Sequence, residues 1–302
     1  MFRIDNIHHS VYELADFLEF QALKRGSCAI NDLRSVLSAS DDELDLAGID
    51  EGDDKVLNKL QEALQHCSYR GIDFGGYPYT INQNSITLTS ALEDKSLICV
   101  FLLLANRLDM QKERMQGGKN ATELFERLCR VIVKNYLGEH SESEIFGTAA
   151  SGNFEKKVKY ILEKLNIHGT FKQPYGGTER QKDGGVDIVA WIPFKDEKDS
   201  QLIALGQCKT GTNWEHLMRK VAFFDLFSTQ QSFVAPIHMF FVAEDFGKYK
   251  WQERSSKGGI IFDRRRILDL FPQNVNMLDS SLISDIVDWT SASIEYVKAY
   301  GL

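Results

Sequence analysis

The chain has 302 residues, of which 43% are hydrophobic and 26% charged, the composition of a globular protein with a sizeable core. No stretch reaches the roughly 18 apolar residues of a membrane helix, and the polar N-terminus lacks the apolar run of a secretory signal. The five cysteines are scattered, odd in number and without a CxxC pair. Disulfides and a zinc site are therefore disfavoured, and a reducing cytoplasm is expected.

The net charge of −8 argues at first against a nucleic-acid partner, but the acidic residues are unevenly placed. Residues 1–70 contain 14 acidic and 7 basic residues, a balance of −7. Residues 209–266 contain 10 basic and 6 acidic residues, a balance of +4. The back half of the chain can therefore still present a positive face to a polyanion.

In the first half, apolar spacing of three and four residues predicts that residues 9–66 are mainly helical. Turn residues and alternation then predict short strands at 79–81 and 85–88, before a helix at about 92–110. Asn120 and Glu123 resemble a capping box for a helix that ends at Gly138. A further amphipathic helix is expected at about 153–165.

In the second half of the chain, the pattern of apolar residues changes from helical spacing to that of extended strands. Strands are expected at 184–194 and 201–209, joined by a charged turn, and a helical stretch at about 213–229 follows. The remaining expectations are strands at 236–246 and 258–263 and helices at the C-terminus.

The two central strands place three polar residues together. If they form a hairpin that turns near residue 197, facing positions sum to about 394, and Asp187 lies opposite Gln207. Because side chains alternate along a strand, Gln207 and Lys209 point to one face and Cys208 to the other. An aspartate, an amide and a lysine then meet at one end of an apolar hairpin.

This trio suits phosphodiester hydrolysis. Mg²⁺ prefers oxygen ligands, which Asp187, the Gln207 amide oxygen and the main-chain carbonyl of Cys208 could supply. Such a metal acidifies a bound water and offsets charge on a phosphate. Lys209 would orient that water or stabilise the transition state.

The sequences KDGGVDIVAW and LGQCK, at 182–191 and 205–209, resemble the D-x(n)-(E/Q)-x-K half of the PD-(D/E)XK nuclease superfamily, and the glutamine resembles its Mrr-like members. The resemblance implies an α/β, restriction-endonuclease-like αβββαβ core within residues 111–302. Residues 1–110 match no part of that core and form a mainly helical, acidic N-terminal region. The resemblance also implies a Mg²⁺- or Mn²⁺-dependent endonuclease in restriction or anti-phage defence, with DNA favoured over RNA.

The superfamily usually supplies another carboxylate from the first helix of the core. Glu155 precedes the hairpin directly, and Glu126 lies in the LFERL segment of the earlier helix, so both remain candidates. Either glutamate could instead form an ordinary helical ion pair, Glu155 with Lys159 or Glu126 with Arg130.

Basic residues beside aromatic ones indicate a nucleic-acid contact after the core strands, because cations neutralise phosphates and aromatic rings stack on bases. The candidates are Arg264, Arg265, Arg266, Lys248 and Lys250.

Partners remain open at this stage. The acidic N-terminal region suggests docking of an ATPase, helicase or sensor protein. No membrane partner is expected, and the sequence is compatible with an oligomer. The alternative is a catalytically incomplete nucleic-acid-binding or scaffold subunit of a defence complex.

Overall fold

The protein has a mixed α/β fold with a mixed central sheet. The computed structural model describes residues 9–33, 49–89, 91–147, 154–172, 184–196, 198, 200–218, 221, 223–231, 234–249, 251–272 and 280–300. No helix within those ranges combines the length and the apolar character that a membrane span requires.

The elements follow in chain order: α1 (Val11–Arg25), β1 (Ser27–Ala29), α2 (Ile49–Asp73), β2 (Tyr79–Ile81), β3 (Ser85–Leu88), α3 (Asp94–Arg107), β4 (Met115–Gln116), β5 (Lys119–Asn120), α4 (Ala121–Leu137), β6 (Glu142–Ile145), α5 (Phe154–Lys164), β7 (Gly169–Phe171), β8 (Ile188–Ile192), β9 (Leu202–Lys209), β10 (Phe227–Thr229), β11 (Ile237–Val242), α6 (Trp251–Gly258), β12 (Ile260–Phe262), α7 (Arg264–Asp269) and α8 (Ser280–Ala299). Within the described residues, α1 and α2 confirm the helical prediction for 9–66 apart from the short strand β1, and residues 34–48 of that stretch lie outside the described residues. The helices predicted at about 92–110, 120–138 and 153–165 and the strands β2 and β3 are confirmed.

The chain divides into two compact units. The first comprises Met1–Ala121, Glu244–Gly247 and Ile283–Leu302, and the second comprises Thr122–Ala243 and Lys248–Leu282. The sequence predicts a boundary at 110/111 and a single domain over 111–302, whereas these units divide first after Ala121 and share the C-terminal part of the chain. Most of α8 belongs to the first unit, where its Trp289 is buried and meets Phe101 edge to face at 5.4 Å between ring centroids.

The first unit packs helices α1 to α3 with the antiparallel sheet β1-β3-β2. A capping box begins α1: the Glu13 amide donates to Ser10 Oγ and the Ser10 amide donates to the Glu13 carboxylate. The helix α3 is buried along the whole stretch 97–105, because that stretch is apolar on every side.

The second unit is built on a five-stranded sheet of order β12-β11-β9-β8-β6. Strands β6, β8 and β9 are antiparallel neighbours, whereas β11 lies parallel to both β9 and β12. On one face, Val189 and Leu205 pack with the apolar side of α5, including Ile161. The thiols of Cys129 on α4 and Cys208 on β9 form a hydrogen bond, so α4 lies against the opposite face.

The prediction of a helix at about 213–229 is wrong. Short 3-10 turns occupy Glu215–Leu217 and Phe223–Leu226, and Phe227–Thr229 forms strand β10, which pairs with β7. The physical reason is burial: Phe223, Leu226 and Phe227 all enter the core beside α5, and aromatic residues suit extended as well as helical chain. The helix α6 had not been predicted.

Candidate functional site

The hairpin of β8 and β9 has the register that the sequence predicted. Ile188 pairs with Gly206 and Ile192 with Leu202, so that facing positions sum to 394. The Asp187 amide donates to the Gly206 carbonyl at 2.9 Å. Asp187 therefore lies directly before β8, beside Gly206 on β9.

The Asp187 carboxylate is held in place from two sides. Its Oδ2 atom accepts a hydrogen bond from the Cys208 amide at 2.7 Å and lies 3.5 Å from the Lys209 Nζ atom. The residue is 8% exposed. A Cβ atom at Gly147 would stand 3.0 Å from the Asp187 Oδ1 atom, so glycine at this position leaves the carboxylate room. The carboxylate and the ammonium group therefore form a partly buried ion pair beside the end of β9.

Gln207 lies on β9 directly after Gly206, whose partner Ile188 directly follows Asp187. Its side chain is buried, with 3% exposed, and its Oε1 atom accepts no hydrogen bond from any described residue. A buried carbonyl oxygen without a donor costs about 1 to 3 kcal/mol. This oxygen can therefore accept a ligand that the folded chain does not supply.

The structure distinguishes the two candidate glutamates. Glu126 is 3% exposed on α4. Burial raises the pKa of the Cys129 and Cys208 thiols, and the charges of Glu126 and Asp187 raise it further. Both carboxylates therefore lie near the same pair of thiols. Glu155 has a half-exposed side chain and pairs with Lys159 at 2.7 Å, as the i,i+4 alternative predicted. Glu126 therefore stays a candidate for the site, whereas Glu155 forms a surface ion pair.

Cys208 has a structural place in the site. Burial raises the pKa of its thiol well above the ordinary value, and the hydrogen bond with Cys129 raises it further. The thiol is thus protonated and unsuited to nucleophilic attack. Its main chain orients the site instead, through the amide that donates to Asp187.

The donor set fits Mg²⁺ or Mn²⁺ better than a transition metal that prefers nitrogen or sulfur. Within the described ranges, no group of three or more His, Cys, Asp and Glu side chains is arranged to hold a metal ion. The available oxygens are the carboxylates of Asp187 and Glu126 and the buried amide oxygen of Gln207. Mg²⁺ sites commonly use one or two carboxylates and complete their shell with waters and substrate.

The predicted nucleic-acid residues have different environments. Arg264 is fully buried and donates from Nε to the Ala243 carbonyl, so we assign it a structural role. Arg265 is partly exposed and Lys248 is exposed. Arg266 is exposed, donates to the Ile261 carbonyl and lies over the Trp251 ring. The other predicted residue, Lys250, lies outside the described residues.

A second arginine–tryptophan pair was not predicted. Arg254 lies 5.0 Å from the Trp214 ring centroid and also pairs with Glu215. The sequence offers only a weak signal for it, since 40 positions separate Trp214 from Arg254 and only the fold brings them together.

No protein-family model matches this chain, and neither does any curated protein or any solved structure.

Proposed function

We propose that the second unit is a metal-dependent nuclease that hydrolyses phosphodiester bonds, with a restriction-endonuclease-like, PD-(D/E)XK core. The observation that carries the proposal is the buried Gln207 Oε1 atom, which accepts no hydrogen bond from the described residues. Gln207 lies on β9 two residues before Lys209, which pairs with the Asp187 carboxylate. A buried acid, a buried amide oxygen and a lysine in this arrangement suit binding of a hard cation beside a phosphate.

The order of elements supports the same core. Helix α4 is followed by antiparallel strands β6, β8 and β9, and β11 then lies parallel to β9. This order matches the αβββαβ pattern with two departures. Helix α5 and strand β7 are inserted between β6 and β8, and short 3-10 turns stand where a helix would follow β9.

Each side chain has a distinct role in this proposal. Asp187 would hold the metal, with Gln207, Glu126 and the main-chain carbonyl of Cys208 as the candidates for its other oxygen ligands. When bound, Mg²⁺ or Mn²⁺ lowers the pKa of a coordinated water and offsets negative charge on the phosphate. The Lys209 ammonium group stabilises the additional charge that develops on the phosphate during attack.

DNA is the substrate that we favour over RNA, in restriction or anti-phage defence. Lys248, Arg265 and Arg266 would neutralise phosphates outside the hairpin. Since the chain is acidic overall, a partner such as an ATPase, helicase or sensor protein would deliver the nuclease to its substrate.

The test is nicking of supercoiled plasmid DNA with Mg²⁺ or Mn²⁺. Asp187→Asn keeps an oxygen acceptor for the Cys208 amide and removes the charge, and Lys209→Met keeps the aliphatic stem. We expect each substitution to lower the nicking rate at least about a hundredfold. The matched controls, Asp196→Asn and Lys198→Met, alter an exposed ion pair in the turn of the same hairpin and should leave the rate unchanged.

Circular dichroism and thermal unfolding should first establish that all four variants fold. Equal nicking by Asp187→Asn and wild type would overturn the proposal. Metal-dependent binding of DNA without cleavage, alone and with neighbouring gene products, would favour the alternative of a nucleic-acid-binding or scaffold subunit.

A further inference from the structure

A cavity of about 420 Å³ opens beside α4 in the second unit, and its described lining includes none of the side chains assigned to the hairpin site. Its volume lies within the range of roughly 300 to 1,000 Å³ that small-molecule sites occupy in proteins. The wall combines the exposed side of α4 with Ser143 from β6 and with Pro272 and Leu282. The cavity is therefore a concave site of ligand size, not a flat patch of surface.

Three cations line the cavity from one helix. Arg127, Arg130 and Lys134 follow one another at spacings of three and four residues, which places them on one side of α4. Glu139 is the one acidic residue among the lining residues in the described part of the chain. The charge on the wall is thus +2, although the whole chain is acidic. A local positive potential in a concave site favours an anionic ligand.

Ser143 provides an independent sign of a missing ligand. It lines the cavity, is only 7% exposed, and its Oγ atom forms no hydrogen bond with any described residue. Its neighbour Ser141 differs, since the Ser141 hydroxyl donates to the carbonyls of Lys134 and Gly138. A buried hydroxyl without a partner is destabilising, and a bound oxyanion would satisfy it.

Part of the wall is apolar. Val131, Pro272 and Leu282 face the same cavity as the three cations. Free phosphate would leave this part of the wall uncovered, whereas a ligand with an organic body would bury it.

We propose that this cavity binds a small phosphorylated ligand with an apolar body, for which a nucleotide is the simplest probe. Arg130 and Lys134 bind the phosphate together with the Ser143 hydroxyl, and Arg127 orients the ligand from the side where it donates to Ser281. The apolar part of the ligand packs on Val131 and Leu282. This site is independent of the proposed nuclease activity, because binding here requires neither Asp187 nor a metal.

The experiment is isothermal titration calorimetry of the full chain at constant ionic strength with EDTA present, so that the hairpin site holds no divalent cation. The probes are ADP, pyrophosphate and adenosine. We expect ADP to bind more tightly than pyrophosphate, and adenosine to bind least, because only ADP supplies both a phosphate and an apolar body.

Variants locate the site. Arg130→Gln and Lys134→Gln should each raise the Kd for ADP about tenfold, since each removes a charge-assisted hydrogen bond. Ser143→Ala should raise the Kd about fivefold while leaving the thermal midpoint of the ligand-free protein unchanged or higher, because it removes a buried unpaired hydroxyl. Lys159→Gln, on the exposed side of α5, is the control and should bind ADP as the wild type does.

Absence of binding by all three probes would overturn the proposal, and so would ADP binding that the two charge substitutions leave intact. Adenosine binding as tightly as ADP would also contradict it, because the cations would then have no function. If a short DNA duplex bound with the same dependence on these residues and ADP did not, the cavity would belong to a nucleic-acid surface and the proposal would fail. Loss of nicking without loss of ADP binding concerns the hairpin site alone.

Discussion

The two candidate glutamates, Glu126 and Glu155, differ in how far their side chains are exposed to water. Glu126 is buried on α4, whereas Glu155 pairs with Lys159 at the surface. We expect Glu126→Gln to lower metal-dependent nicking at least about a hundredfold, because a buried charged ligand is lost. Glu155→Gln is the matched control and should stay within about twofold of the wild type. The reverse order of effects in a plasmid assay would assign the carboxylate to α5.

Cys28 predicts a dependence of stability on pH. Burial, with a smaller contribution from Asp32, raises the pKa of its thiol from 9.0 to about 12. The unfolded chain therefore releases this proton from about pH 9, while the folded chain keeps it until about pH 12. The contribution is fully present below pH 9 and is lost as the pH rises towards 12. Between pH 9 and pH 10 the wild type should lose about 1 kcal/mol more than Cys28→Ala.

Urea unfolding at pH 8, 9 and 10 measures this difference directly. Ser27→Ala changes the neighbouring exposed residue and should follow the wild type at every pH. Parallel losses of stability in Cys28→Ala and the wild type would show that the thiol does not titrate differently in the two states.

At the scale of elements, the register of β8 and β9 followed from the sequence because two apolar runs were joined by one short charged turn. That register brings Asp187, directly before β8, to the end of β9 that carries Gln207 and Lys209. The choice between Glu126 and Glu155 did not follow, because it depends on which helix packs on which face of the sheet. Ser143 could not have been selected either, since its buried hydroxyl becomes exceptional only once β6 lies beside the cations of α4.

In the region after β9, the local spacing of apolar residues predicts the wrong secondary structure. Its spacing of apolar residues fits a helix, yet Phe223 and Phe227 are held in the core by a 3-10 turn and a strand that pairs with β7. Burial of these rings outweighs the helical preference of the segment, which amounts to only tenths of a kcal/mol per residue.

Gly259, directly before β12, lies in close contact with the neighbouring strand β11. Gly259 has φ +80°, and a Cβ atom there would stand 2.1 Å from the main-chain oxygen of His238. Gly211 has nearly the same conformation, φ +75°, with no atom within 4 Å of the corresponding position. Gly211→Ala should cost about 1 to 2 kcal/mol for the left-handed backbone alone. Gly259→Ala should cost several kcal/mol, because β11 must also move.

Urea denaturation of the two glycine variants separates backbone strain from the contact. Equal losses would mean that β12 can shift away from β11 without cost. The larger loss in Gly259→Ala would locate a tight, strand-to-strand contact next to the sheet that carries the candidate site.

At the scale of the whole molecule, the acidic balance of residues 1–70 is not only a surface property. Asp16 and Glu19 are fully buried in the first unit, where Arg70 and Arg107 neutralise them. Asp245 and Glu244, from the segment after β11, join the same network. If the acidic N-terminal region docks a partner, the contact must therefore depend on acidic residues other than Asp16 and Glu19. The net charge of a segment, taken from sequence alone, could not distinguish these two uses of aspartate and glutamate.

Arg70 tests how much this network contributes. Its Nη1 atom lies 2.7 Å from Asp16 and 2.6 Å from Glu19, and its Nε atom lies 2.8 Å from Asp245, with all four side chains buried. Arg70→Met keeps most of the volume but leaves three buried carboxylates without this cation, so the free energy of unfolding should fall by about 3 to 5 kcal/mol. Arg70→Lys keeps the charge without the planar fork and should lose less stability than Arg70→Met.

Lys298→Met, which breaks the exposed pair with Glu295 in the same unit, is the control and should change stability by less than about 1 kcal/mol. If urea unfolding gave Arg70→Met and Lys298→Met similar values, water or rearrangement would be compensating the buried acids, and the network would not be a source of stability for the first unit.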